Sequence, residues 1–455
     1  MPVVDKPARC TRCDGGEIGI IFQSTRGKQQ VSLDEALVMG LAEDGGLFLP
    51  LELPQFSTDD FAAAETVAET AQILLRPFFA ESALAPDLDE ITRETFRFPL
   101  PITRLPVSEG YAGLLELYHG PTAAFKDVGA GFLAACLTRL QGDTDNPLTI
   151  LVATSGDTGG AVAAAFNERP GMRVVVLYPD GRVSERQAHQ LTCWGDNVLA
   201  LAVQGSFDDC QALVKGALAD KELSAQYCFS SANSINIGRL LPQSIYYAHS
   251  SLEHFRSSGR KPGFIIPTGN LGNGFAAFLA REMGLPIGDI ILVTNENRLI
   301  PDYLQGADWT PRASIQTLAS AMDVGNPSNM ERLRALFGDA AGISQQTRAI
   351  SVSDDIIRQE IARNYNEFKL ATCPHTATAT FAWRELEESA RTDSDWILVA
   401  TAHPAKFEQI VEPIIGTDVP LPEELADILS RPRRFVKIRP DAEELARALG
   451  EKFSN

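Results

Sequence analysis

Cysteine, histidine and positive charge are all scarce in this chain, and each scarcity removes a class of protein. Seven cysteines spread over 455 residues, an odd number, fit reduced and mostly buried thiols and exclude a disulfide framework. Six histidines, at positions 119, 189, 249, 254, 375 and 403, are scattered, and the Cys10 and Cys13 pair (CTRC) has no second half to complete four metal ligands, so it reads as structural. Against 59 Asp and Glu stand only 40 Lys and Arg, a net charge of −19 that repels nucleic-acid backbones and anionic membrane surfaces. The one basic run, Arg431, Arg433, Arg434, Lys437 and Arg439, is interrupted by Pro432, Phe435 and Val436 and reads as a solvated loop and edge segment. No stretch approaches the roughly twenty apolar residues of a membrane span, and the first residues hold no apolar run of signal-peptide length. A cytoplasmic protein is expected, without nucleic acid or membrane as partner. No fixed-period repeat stands out, and the apolar fraction of 44% and charged fraction of 22% are those of an ordinary globular chain.

What is present is organised in blocks. Ser32 and Glu35 form a capping box ahead of Ala36, Leu37, Met39 and Leu41, so a helix is expected to start there and to end at Gly45 and Gly46. A second helix is expected over 66–79. Pro99, Pro101 and Pro106 then mark a boundary. Beyond it the pattern turns to strand, Gly-rich loop, helix: an apolar run at 148–153, a turn at 154–160 and a helix from Ala161. The same unit recurs with a run at 263–267, a loop at 268–274 and a helix from Phe275. Further buried strands are expected at 173–177, 198–203, 290–294 and 396–401. This alternation predicts an α/β fold of two parallel-sheet lobes behind a mostly helical N-terminal module, with ligands at the carboxyl ends of the strands. The expected divisions are 1–100, 101–260, 261–430 and a C-terminal tail, 431–455.

Three segments carry chemistry. In HGPTAAFKD (119–127) a single lysine, Lys126, follows Phe125 in an otherwise uncharged stretch. A partly buried amine beside an aromatic ring is shifted toward its neutral form, the form that attacks an aldehyde. The same lysine could equally start a helix and pair with Asp127. In TSGDTGG (154–160), Thr154, Ser155, Gly156, Asp157 and Thr158 make a strand-to-helix turn whose amides can hold a carboxylate. In TGNLGNG (268–274), Gly269, Asn270, Leu271, Gly272 and Asn273 offer a second cradle, suited to a terminal phosphate. Neither has the spacing of a dinucleotide or Walker loop. An imine-forming amine with two anion cradles is what pyridoxal phosphate and an amino-acid substrate need. Two polar islands add candidates. Ser234, Asn236 and Arg239, with Asn233, could grip a phosphate on the substrate, Arg through its planar fork, or Arg239 could equally be a surface or ion-paired helix residue. Thr376 could meet a pyridine nitrogen or simply cap a helix after Pro374.

These segments, together with SANSIN, AMDVGNPSN, CPHTATA and TAHPAKF, run in order from His119 to Phe407, and STRG (24–27) and DGGLFLP (44–50) precede them. In this set the chain resembles the bacterial threonine synthase family. The resemblance implies a fold-type II, tryptophan synthase β-like enzyme that uses pyridoxal 5'-phosphate to convert O-phospho-L-homoserine and water into L-threonine and phosphate, as a monomer or homodimer. By position it implies Lys126 as the Schiff-base lysine, Gly269 to Asn273 as the cofactor-phosphate loop, Asp157 near the ring hydroxyl or substrate, and Thr376 at the pyridine nitrogen. A phospho-lyase releasing 2-oxobutyrate, a threonine or serine dehydratase, and a catalytically silent cofactor-binding regulator remain open.

Overall fold

The computed structural model describes residues 8–9, 19–142 and 146–453, so Cys10 and Cys13 lie outside the described residues. Two sheets organise the chain. The first has five strands, all parallel, in the order Phe229–Ser231, Leu148–Ala153, Met172–Pro179, Val198–Val203 and Val436–Ile438. The second has six, in the order Thr347–Ser351, Ile290–Thr294, Gly263–Pro267, Asp395–Ala400, Tyr111–Glu116 and Ile102–Arg104, parallel except for the last. Every residue of Leu148–Ala153 and Gly263–Pro267 is buried, as parallel strands covered on both faces require. Alternate residues serve different cores. Ile150 and Val152 join the large core between the lobes, while Leu151 and Ala153 face a smaller one outside the first sheet. Phe264 and Ile266 divide from Ile265 in the same way in the second sheet.

Sheet membership crosses the expected chain divisions. Tyr111–Glu116, from the 101–260 segment, pairs with Asp395–Ala400 in the second sheet, and Val436–Ile438, from the tail, forms the edge of the first. Parallel strands need long crossovers, so neighbours in the chain need not be neighbours in a sheet. The basic run lies along that edge. Arg431, Arg434, Lys437 and Arg439 pair with Asp427, Asp196, Asp180 and Glu444, and Arg433 donates to the Thr192 hydroxyl.

The N-terminal module has helices Leu33–Met39, Val67–Phe79 and Leu88–Thr95. A three-stranded antiparallel sheet, ordered Gln30–Val31, Phe22–Ser24, Phe48–Pro50, adds to them. The capping box is present: Ser32 Oγ accepts the Glu35 N–H at 3.3 Å and Glu35 Oε2 accepts the Ser32 N–H at 2.8 Å. The helix stops at Gly40, at φ 68°, five residues before the expected glycine pair, because the first residue able to take the left-handed cap ends it. Both Gly-rich loops turn helical earlier than expected, in Asp157–Phe166 and Gly272–Glu282. Close packing explains the first: a Cβ on Gly159 would come within 2.6 Å of Leu191 and 2.9 Å of Val176, so glycine here admits the helix start against the sheet. Among the described residues no helix is long and apolar enough to cross a membrane, and no group of three or more His, Cys, Asp or Glu could hold a metal ion.

Candidate active site

Loops leaving the carboxyl ends of both sheets converge on a cavity of about 380 Å³. Its lining brings together Phe125, Lys126, Thr154, Ser155, Asp157, Thr158, Ser234, Arg239 and the loop residues Gly269, Asn270, Leu271, Gly272 and Asn273. These segments lie far apart in the chain and meet because each follows, or opens a helix beside, a strand of one of the sheets.

Lys126 is the first residue of helix Lys126–Gln141. The backbone just before it is pinned: Phe125 N–H donates to Thr401 O at 2.8 Å, and the Tyr246 hydroxyl donates to Phe125 O. Burial is the main cause that brings the Lys126 amine down to about 8; Asp157 opposes, while Arg239 and Lys406 push further down. A substantial neutral fraction therefore exists near neutral pH. Asp127 does not serve as the partner of Lys126. Its carboxylate turns back to accept the Thr122 N–H at 2.9 Å and the Thr122 hydroxyl, and burial raises it to about 6.

Asp157 faces Lys126 from the opposite loop. Its Oδ1 lies 2.8 Å from Lys406 Nζ and accepts from Gln187 Nε2 at 3.0 Å. Burial alone would raise this acid; Lys406 and Lys126 outweigh it and hold the carboxyl well below the usual carboxylate range. Lys406 is wholly buried and also donates to Thr122 O at 2.7 Å. One ammonium thus joins the Asp157 loop to the turn that carries Lys126. The sequence reading passed over Lys406, although a lone cation among Pro404, Ala405 and Phe407 was a usable signal. His375 was also missed. It lines the cavity, its Nε2 accepts the Ala321 N–H at 3.1 Å, and burial lowers it to about 4, so the ring is neutral with its proton on Nδ1.

Three candidates stand behind the lining. Thr376 is buried in the first turn of Pro374–Arg384, its hydroxyl 3.2 Å from Cys373 Sγ, one residue past His375. Asn236 caps the short helix Ile237–Leu240 by accepting the Gly238 N–H at 2.9 Å and donates to Leu37 O at 2.9 Å. Gly156, at φ 144°, gives clearance to Gln187, whose amide would lie 2.6 Å from a Cβ there. Thr154 shapes its own loop, its hydroxyl oxygen accepting the N–H groups of Gly156 at 3.0 Å and Gly159 at 2.9 Å.

The opposite wall is built for anions. Leu271, at φ 63°, opens helix Gly272–Glu282, whose first N–H groups have no intrahelical acceptor. A Cβ on Gly269 would lie 2.7 Å from Met322 Cα, so only glycine lets these two loops approach. Arg239 is buried, donates to Ala232 O, and keeps an Nε without a partner; the buried Thr268 hydroxyl and Gln243 Oε1 are likewise unpaired. Of these, the Arg239 Nε–H and the Thr268 hydroxyl are orphaned buried donors that fit a multivalent acceptor such as a phosphate, while Gln243 Oε1 can only accept.

A neutral-prone lysine facing two anion cradles suits pyridoxal phosphate, and residues 98–402 match the family described as "Pyridoxal-phosphate dependent enzyme". The protein is an enzyme of that cofactor class. Residues 21–96 match "Threonine synthase N terminus" and residues 376–449 match "Threonine synthase, C-terminal". The threonine synthase of Escherichia coli (strain K12) is 39% identical over 402 residues, covering 88% of this chain and 92% of the relative. The crystal structure of the Escherichia coli threonine synthase superposes with a TM-score of 0.86 at 37% identity, covering 95% of this chain and 100% of that one. The X-ray structure of PLP-bound threonine synthase from Brucella melitensis does so with a TM-score of 0.87 at 33% identity, covering 96% and 100%. The chain belongs to the threonine synthase family and has the type II fold of pyridoxal-phosphate enzymes.

Proposed function

We propose that the protein converts O-phospho-L-homoserine and water into L-threonine and inorganic phosphate. The observation that carries this reading is the pairing of Lys126 with three sites for anionic groups in one cavity: the 154–158 turn, the 269–273 loop and the buried Arg239. A cofactor phosphate, a substrate carboxylate and a substrate phosphate use all three. A threonine or serine dehydratase has no use for the third.

Lys126 would hold the cofactor covalently, the 269–273 loop its phosphate, and Asp157 and Thr376 would flank its ring. When bound, the cofactor supplies an electrophilic carbon for the substrate amine and a ring that takes up the electron pair left by a departing proton. Ser155 and Thr158 orient the substrate carboxylate, and Arg239 with Asn233 and Ser234 holds its phosphate. Lys126, freed when the substrate amine takes its place, removes the proton at Cα and moves protons at Cβ and Cγ. The Cγ–O bond breaks, phosphate leaves with the bonding pair, Cγ gains a proton, and water adds at Cβ. Water must stay out until that last step, or the product is 2-oxobutyrate.

Incubating the protein with pyridoxal phosphate and O-phosphohomoserine is expected to give threonine and phosphate in equal amounts. Release of 2-oxobutyrate in place of threonine would assign the lyase reading, and no turnover the regulatory one. The lysine itself predicts a pH effect. With an amine near 8, capture of the cofactor by the apoprotein, read from its visible absorbance, should accelerate about tenfold between pH 7 and pH 9, as the neutral fraction rises. An unshifted lysine would instead give a rise of about a hundredfold over that range, and a flat rate would mean an amine already neutral at pH 7; either result overturns the assignment.

A further inference from the structure

The motifs STRG and DGGLFLP line no part of the cavity, yet their side chains and backbone run toward it. Ser24 Oγ donates to Asp44 Oδ1 at 2.7 Å, joining the two motifs. The Thr25 hydroxyl oxygen accepts the Leu47 N–H at 2.8 Å and donates to Glu331. Arg26 grips the same carboxylate, Nε to Oε1 at 3.0 Å and NH2 to Oε2 at 2.8 Å. One residue further on, the fully buried Arg332 donates from Nε to Phe48 O at 3.0 Å, from NH2 to Ile235 O at 2.7 Å, and from NH1 to Asn329 Oδ1 at 2.6 Å and Ser234 O at 3.4 Å. Asn329 passes the connection on, its Nδ2 donating to Asn270 O at 2.9 Å and Ser234 O at 3.2 Å. Asn270 Nδ2 in turn donates to Ser234 Oγ at 2.6 Å. A single guanidinium therefore ties the N-terminal module to both loops of the cavity's anion-facing wall.

Its charge is the unexpected part. All of its acceptors are neutral oxygens, and among the described residues no carboxylate pairs with it. Glu331, the one acid acting on it, is already held by Arg26 and Thr25. Burying a cation without a counter-ion is costly, and a neutral amide could bond to carbonyls without that cost. The missing negative charge has a natural place: Ser234 and Asn270, which this network holds, both line the cavity.

We propose that Arg332 is a positioning residue for phosphate recognition, orienting the Ser234 and Asn270 loops and supplying from behind them a buried positive charge that favours a phosphate monoester in the cavity. Two phosphates share this chemistry, the cofactor's and the substrate's. The cofactor arm stands on the cofactor class alone, and the substrate arm rests on the proposed reaction.

The test compares pyridoxal phosphate with pyridoxal, which lacks the phosphate, as ligands of the apoprotein. Arg332→Gln should weaken binding of pyridoxal phosphate about tenfold while pyridoxal changes less than about twofold, because only the phosphate carries a charge that responds to the loss of the buried cation. A purely structural role would weaken both alike; equal loss, or no loss of either, overturns the proposal. Arg332→Lys keeps a charge but a titratable one, since a buried lysine loses its proton more readily than arginine. Its preference for pyridoxal phosphate over pyridoxal, taken relative to the unsubstituted protein, should fall as pH rises from 6.5 to 8.5, and parallel profiles overturn the idea even if the glutamine variant does not fold. In the cofactor-saturated enzyme the substrate arm predicts a raised KM for O-phosphohomoserine in Arg332→Gln, with a smaller change in kcat. Failure of that arm beside success of the first would confine the role to the cofactor's phosphate and point to the proposed substrate as the error.

Discussion

Lys126→Ala should yield a folded protein that shows none of the visible absorbance of a lysine-bound cofactor and forms no threonine above background, a loss of about 10³-fold or more. The residue has two proposed duties, anchoring the cofactor and moving substrate protons. Lys406, whose charge acts on Lys126, is fully buried and engaged with Asp157 and Thr122 O. His375 is held neutral by burial, with Nε2 already accepting from Ala321. Folding should survive, because the backbone turn is held by Thr401 and Tyr246 and not by the lysine side chain. The cofactor should still bind, more weakly, through the 269–273 loop, so equilibrium dialysis and product analysis separate the two duties. Threonine formation at an appreciable rate would remove Lys126 from its assigned place.

Lys406→Met should be the most damaging substitution for stability. It leaves the buried Asp157 carboxylate without its main counter-charge, and losing one partner of a buried pair costs about 3–5 kcal/mol. The pH dependence has a definite sign. In the unsubstituted protein the Asp157 carboxyl lies below its unfolded value near 4, so the pair stabilises fully above about pH 4 and the contribution disappears as the folded carboxyl is protonated. Without Lys406, burial favours the protonated acid. The gap in unfolding temperature between the two proteins should therefore be widest near pH 7 and narrow toward pH 4. Adding Asp157→Asn to Lys406→Met should recover much of the stability and none of the activity, because Asn cannot present the fixed negative charge that faces Lys126. A double variant no more stable than Lys406→Met alone would show that the ammonium matters for packing and not for charge.

The parts of the site that were legible in the sequence are those settled within a few residues. The Ser32 capping box, the Gly-rich turns and the lysine after Phe125 each declare themselves through a spacing that the backbone reads locally. Helix starts were misplaced where a glycine serves packing: Gly159 was read as loop, yet it sits inside a helix pressed against Leu191 and Val176. That His375 lines the cavity beside Thr376 was not legible, because a Pro-initiated helix turns successive side chains to different faces. Asn236 looked like a substrate ligand by its company, but its side chain is consumed by a helix cap and by Leu37 O.

By itself the sequence determined the chemical inventory: one lysine in a dry segment, two turns that present amides to anions, two α/β lobes and a family membership carried by ordered motifs. Only the tertiary structure decided which charges meet. Asp157 with Lys406, and Arg332 with Phe48 and Ser234, are joined across crossovers whose pairing no local pattern encodes. Burial, which is a property of the assembled core, then sets what those groups do: it brings Lys126 toward its neutral amine, leaves Asp157 charged only because Lys406 is beside it, and makes an unpaired guanidinium costly enough to call for an anion.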